Sequence, residues 1–188
     1  MGEGDSPHGF RTNRRSAVIV KAVSDSGPLI HLALITQTAL LARYFEQILI
    51  VPAVYDEVVT QRLHRIGVPE LREARASGFI RVVSLQTSRL PDDLRLTARP
   101  SVSPVDAQVV ALAIEQRLPL LSDDKAVRTL AIARGLTLAG TLNLLIQATR
   151  DGVITSLKPT LDELIANGFH MNPTGQLYRE VLRQAGEQ

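Results

Sequence analysis

Four carboxylates in this 188-residue chain stand where they could do chemistry. Asp25 closes the apolar run from Ala17 to Ser24, and Asp123 closes the run from Leu118 to Ser122. Asp106 opens a helical pattern and Glu57 lies inside another. Carboxylates brought within a few ångström repel one another unless a proton or a cation intervenes, and hard cations such as Mg2+ or Mn2+ prefer oxygen ligands. If the four converge, the chemistry is that of a metal-dependent enzyme acting on phosphate esters, with RNA as the expected substrate class. Taken singly, each has a plainer role. Asp25 lies in the turn sequence Asp25-Ser26-Gly27-Pro28, Asp106 suits a capping box, Asp123 or its neighbour Asp124 suits a helix N-cap, and Glu57 suits a solvated helix face. The fold has to decide between these readings.

The elements that would position the acids are legible in the hydrophobic pattern. Ala17 to Ser24 reads as a buried strand, Pro28 to Phe45 as helical, and Ile48 to Val51 as a second strand. Pro52 suits the first turn of a helix through VYDEVVTQRL. Glu70 to Ala76 continues as helix up to Gly78, Phe79 to Leu85 is a third strand, and Leu90 to Ser103 is loop. Ser103-Pro104-Val105-Asp106 has a hydroxyl N-cap, Pro at the first helical position and an acid three residues after the cap, so a helix runs from there to about Arg117. Leu118 to Ser122 and Leu136 to Ala139 are further strands, separated by a helix over 124–134 that Gly135 ends. Helices at 141–149, 160–166 and 175–184 complete the chain. Such alternation implies an α/β domain with a central parallel sheet of four to five strands, covered by helices on both faces. In that architecture ligands bind beyond the carboxyl ends of the strands, which is where Asp25 and Asp123 project.

Composition sets the outer bounds. At 188 residues and 45% hydrophobic content one core is expected, spanning residues 17–188, and the Gly-rich, Arg-rich residues 1–16 read as a disordered N-terminal extension. No cysteine is present, which excludes disulfides and thiolate-bound zinc and fits a reducing cytoplasm. No apolar run approaches the ~18 residues of a membrane span, so a cytoplasmic protein without membrane contact is expected. Net charge is only +2, too little to stand for a strong nucleic-acid field, although 18 of the 21 basic residues are Arg, the better fork for phosphate. No dinucleotide-binding glycine motif or P-loop occurs, and His8, His31, His64 and His170 show no metal-ligand spacing, so each reads as surface or packing. With 4% aromatic residues, a base-stacking platform is not expected.

The order of the acids, with their flanking segments, resembles the PIN-domain family, and within it a branch related to the VapC-type toxins. The resemblance runs from about residue 17 to the C-terminus. It is carried by VSDSGPLIHLALI around Asp25, VPAVYDEVV around Glu57, SPVDAQVVALAIEQRLPLLSDDKAVRTLAIARGL with Asp106 and Asp123, and LAGTLNLL followed by DGVITSLKPTLDELIANGF. Val105-Asp106 stands where that branch commonly carries Gly-Glu, which keeps the charge and shortens the reach.

This resemblance implies a three-layer α/β/α PIN-like domain and a divalent-metal-dependent endoribonuclease, the toxin of a toxin–antitoxin pair. Asp25, Glu57, Asp106 and Asp123 would be its catalytic and metal-binding residues. Mg2+ or Mn2+ held there would activate water against the phosphodiester. Ser26 and Asp124 would support the ligands, and Arg62, Arg65, Arg72 and Arg75, with His64 between them, could hold RNA phosphates. The expected partners are RNA, a cognate antitoxin and a second copy of the chain. The alternative is a PIN-like binding module with little catalysis, which docks an antitoxin or dimerises through the apolar stretches Leu29 to Phe45 and Leu142 to Ile146.

Overall fold

In the computed structural model, which describes residues 20–61, 67–86 and 102–187, five strands form one parallel sheet in the order β3-β2-β1-β4-β5. These are β1 (Val20–Ser24), β2 (Phe45–Ile50), β3 (Ile80–Val82), β4 (Leu120–Leu121) and β5 (Leu138–Ala139). Parallel pairing throughout requires a crossover between successive strands. The chain supplies α1 (Ser26–Leu34), α2 (Ala39–Tyr44), α3 (Pro52–Tyr55), α4 (Val68–Ala76), α5 (Pro104–Gln116), α6 (Lys125–Ala133), α7 (Thr141–Arg150), α8 (Leu157–Ala166) and α9 (Gln176–Ala185). The chain first winds outward from β1 through β2 to β3, then returns to the other side of β1 for β4 and β5. Right-handed crossovers in the two directions cover both sheet faces and make the expected three-layer α/β/α domain.

The core sits at the sheet centre, where Ala22, Val23, Ile48, Leu120 and Leu121 are fully buried. Leu29, Leu32, Leu40, Leu41, Leu144, Leu145 and Ile146 are buried in the same cluster. These residues belong to the stretches read above as a dimer face; the structure uses them inside one copy of the chain.

Several boundaries differ from the sequence expectation. Pro28 to Phe45 is two helices, because Thr36 adopts φ 54° after the last turn of α1. Its N–H donates to Ala33 O at 3.1 Å and the Gln37 N–H to Leu32 O at 2.7 Å, a Schellman closure without the glycine that usually marks it. Phe45 opens β2 instead of ending a helix. After Pro52 the helix widens to a π-turn over Asp56–Thr60. Helix α8 starts at Leu157, ahead of the expected Thr160, since Pro159 sits in the first turn where its missing N–H has no intrahelical partner to lose. The strands expected at 79–85, 118–122 and 136–139 are trimmed to two or three residues of ladder. The expected strand residues 17–19, the helix end at 62–63, most of the loop at 90–103 and the extension 1–16 lie outside the described residues.

Candidate active site

The winding of the sheet reverses between β1 and β4, and the two carboxyl ends there carry Asp25 and Asp123. The pairing Ser24 with Leu121 brings the two ends level, and the Asp25 N–H donates to Leu121 O at 2.9 Å. A crevice opens at such a reversal because the helices leaving adjacent strands diverge to opposite faces. Here it is a cleft of about 430 Å³, lined by Asp25, Ser26, Gly27, His31, Glu57, Ser103, Val105, Asp106, Asp123, Asp124, Gly168, Phe169 and His170. All four acids read from the sequence face this one cleft, together with Ser26 and Asp124.

Asp25 is the most constrained of them. It is 7% exposed, caps α1 by accepting the Ser26 N–H at 2.6 Å, and accepts the Ser122 hydroxyl on Oδ2 at 3.0 Å. Burial pushes its carboxyl up to about 6 against these two hydrogen bonds, and the nearby charges of Asp106 and Glu57 add to the rise. The fully buried polar residues Ser24, Ser122 and Thr141 complete a set with Asp25: among the described residues, every buried polar side chain belongs to this strand edge. Burying polar groups is costly without partners, so their confinement here marks a site and not a packing accident.

Asp123 is held from both sides. Its Oδ1 accepts the Thr141 N–H at 2.7 Å; its Oδ2 accepts the Thr141 hydroxyl at 2.5 Å and lies 2.8 Å from His31 Nδ1. The preceding Gly140 makes the approach feasible, since a Cβ there would fall 2.6 Å from Asp123 Oδ1 and 2.9 Å from Ser122 O. Asp106 is both a cap and a wall of the cleft: it accepts the Ser103 N–H at 2.8 Å while its own N–H donates to the Ser103 hydroxyl at 3.1 Å. That capping box occupies Oδ2 and leaves Oδ1 without a partner among the described residues. Glu57 sits in the π-turn, a geometry often found at functional sites, and its carboxylate has no partner among the described residues. Asp124 caps α6 through the N–H groups of Ala126 and Val127, and the Ser26 hydroxyl lies 3.4 Å from Asp25 Oδ1.

The donor set is all carboxylate oxygen, which suits Mg2+ or Mn2+ in kind, and the cost of a buried charge at Asp25, with the smaller repulsion from Asp106 and Glu57, is what a cation would relieve. Among the described residues, no three Asp, Glu or His side chains are drawn close enough to enclose an ion as they stand. The acids are arranged as walls, with the gap between them open.

Comparison with known proteins settles the family. The model of the DUF3368 family, a PIN domain, matches residues 21–187. The chain belongs to the PIN-domain family. A PilT N-terminus domain protein from the hyperthermophilic archaeon Sulfolobus solfataricus P2 is similar in structure, with a TM-score of 0.51 at 14% identity, covering 69% of this chain and 93% of that one. At that identity the likeness bears on the fold alone. No curated protein matches the chain. PIN domains are generally nucleases and typically use divalent metals.

Other expected residues fall differently. Arg72 and Arg75 are exposed on α4, outside the cleft lining, and the Arg75 guanidinium lies 4.5 Å above the Tyr55 ring. Arg62, His64 and Arg65 lie outside the described residues. No helix among the described residues is long and apolar enough to cross a membrane. His31 and His170, expected to be surface or packing residues, both line the cleft. For His31 a signal was present: it is the one ionisable side chain of α1, the helix that Asp25 caps. Ser122, Gly140 and Thr141 carried no such mark, because their role depends on the pairing of β4 with β5.

Proposed function

We propose that this PIN domain is a divalent-metal-dependent endoribonuclease that hydrolyses RNA phosphodiesters with Mg2+ or Mn2+. The observation that carries the reading is the convergence of Asp25, Glu57, Asp106 and Asp123, from four separate elements, on one cleft at the reversal of the sheet. These four would hold the cation. Bound there, it supplies charge to the scissile phosphate and acidity to a water. The protein's own contribution is positional. Thr141 and His31 fix the Asp123 carboxylate, Ser26 and Ser122 fix that of Asp25, and burial keeps water away from Asp25. Glu57 and one oxygen of Asp106 stay available to close on a ligand. The toxin role in a toxin–antitoxin pair is supported by the sequence resemblance; a cytoplasmic location, expected from the absence of cysteine, and self-association remain parts of the same proposal.

A second reading, a binding module with little catalysis, is favoured by the full engagement of Asp123, both of whose oxygens already accept hydrogen bonds. Melting the purified protein with and without Mn2+ separates the two. The nuclease reading expects a rise that Asp25→Asn combined with Asp123→Asn abolishes, with RNA cleavage that EDTA stops. No rise at millimolar Mn2+ would turn the assignment to the binding module, and EDTA-resistant cleavage would sink the metal mechanism. Growth arrest on expression, relieved by a neighbouring open reading frame, tests the toxin role.

A further inference from the structure

The segment after α8 brings a second kind of chemistry to the acid cleft. Gly168, Phe169 and His170 line it together with the four carboxylates. Gly168 has φ 99° and open space where a Cβ would stand, so the chain leaves the helix by a left-handed turn that glycine adopts without strain. Phe169 is partly buried and packs against the core, with its N–H donating to Leu164 O at 3.2 Å, so the ring is anchored. The His31 ring meets it edge to face, with centroids 4.9 Å apart and 75° between the planes. His31 is itself tied through Nδ1 to Asp123, so one aromatic contact and one hydrogen bond connect the Phe169 ring to the acid site. His170 stands beside them, exposed.

The cleft is therefore anionic along one part of its lining and aromatic along another. A phosphate ester alone has no use for an aromatic wall, whereas a nucleotide carries a planar π-face one ribose away from its phosphate. A volume of about 430 Å³ lies toward the small end of ligand pockets, which suits one nucleotide and not a duplex. We propose that Phe169, flanked by His31 and His170, is a nucleobase-stacking subsite for the nucleotide whose phosphate enters the acid cleft. The inference rests on the nuclease reading above. It gives the protein a preference for unpaired RNA, since only an unstacked base can reach the ring, and little preference among bases, since every base has a π-face. Low aromatic content does not preclude such a platform; one anchored ring at the right place suffices.

The test uses the full chain and a short single-stranded RNA carrying one 2-aminopurine, whose fluorescence is quenched when it stacks, titrated in Ca2+. Wild type should quench it saturably. Phe169→Leu should weaken binding about 5- to 150-fold, the range of one base–aromatic stack, and Phe169→Tyr should restore it. The melting rise in Mn2+ should be the same in all three chains. His170→Ala, at an exposed position, should weaken binding by a smaller factor and covers the case in which Phe169→Leu fails to fold. Equal affinities for wild type, Phe169→Leu and His170→Ala, or binding without quenching, would overturn the subsite. Absence of the Mn2+ rise with quenching intact would overturn the nuclease reading and leave the subsite standing.

Discussion

Replacing Asp25 by Asn should stabilise the metal-free protein at neutral pH, although it removes the residue most central to the site. Asp25 titrates at about 6 in the fold against 3.8 for an ordinary Asp, because burial penalises its charge. A rise of about two units, at 1.36 kcal/mol per unit, corresponds to about 3 kcal/mol of folding free energy. The sign follows from the direction. The folded protein holds this proton more tightly than the unfolded chain, so the contribution is fully present below about pH 3.8 and is lost as pH rises through about 6. Asn carries no such loss. It still accepts the Ser26 N–H as an N-cap, while its amide obliges the Ser122 hydroxyl to turn from donor to acceptor. Rotation of that hydroxyl offsets part of the gain by about 1 kcal/mol, independently of pH. The stability gap between Asp25→Asn and wild type should therefore grow by about 2 kcal/mol between pH 4 and pH 7, the rest of the loss falling below pH 4, and be flat above that. In a domain of this size the growth amounts to roughly 4–8 °C in melting temperature. Thermal and urea unfolding in EDTA across that window measure it. A gap that stays constant from pH 4 to pH 7, or that shrinks, would refute the claim that Asp25 bears an uncompensated charge. With Mn2+ the order should invert, since a ligand at 100 times its dissociation constant adds ~2.7 kcal/mol to the chain that binds it.

Three further substitutions probe the scaffold of the site. Gly140→Ala puts a methyl 2.6 Å from Asp123 Oδ1, so melting should fall by the equivalent of ~1–3 kcal/mol and cleavage by at least roughly tenfold, read by unfolding and by a labelled RNA. Thr141→Val removes a buried hydroxyl donor to Asp123 at nearly constant volume; the stability loss should be ~1–3 kcal/mol, and unchanged melting would show that the Thr141 N–H and His31 hold the carboxylate without the hydroxyl. Glu187→Gln tests a cap outside the cleft lining, where the carboxylate accepts the N–H groups of Leu157 and Lys158 at the start of α8. Stability should drop by ~0.5–1 kcal/mol, more at low salt, with cleavage unchanged.

The parts of this fold that could be read along the chain are those set by local periodicity and local caps. The Ser103 capping box, the Asp124 cap and the strand ending at Asp25 need only neighbours in sequence, and each stands where the pattern put it. Thr36 was illegible because nothing local asks a β-branched residue to close a Schellman motif; the burial of Leu40 and Leu41 after the turn does so from outside. The π-turn at Asp56–Thr60 was hidden for the same reason, since a helical pattern does not distinguish a widened turn from a regular one. Within the cleft, Asp25, Asp123 and Asp106 were visible in one dimension as charge after a strand or in a first turn, whereas Glu57, inside a helical pattern, was singled out only by the family resemblance. Thr141, Gly140 and Phe169 were not visible, because each meets the acids through a strand pairing or helix docking that spans many residues.

The hydrogen bonds divide the four acids into two kinds, and the division bears on how the cleft would engage a ligand. Asp25 and Asp123 have both oxygens committed, to Ser26 and Ser122 in one case and to Thr141 and His31 in the other. Committed carboxylates cost little entropy to order when a ligand arrives, because they are ordered already. Glu57, without a partner among the described residues, and Asp106, with one oxygen in its capping box, stand on helices that flank the strand edge. They keep the rotameric freedom to adjust. Burial penalises the charge of the fixed Asp25 most, Asp106 and Glu57 add smaller contributions, and closing the adjustable pair around positive charge would offset that cost. The open arrangement of the acids and the raised titration of Asp25 are then two consequences of one geometry.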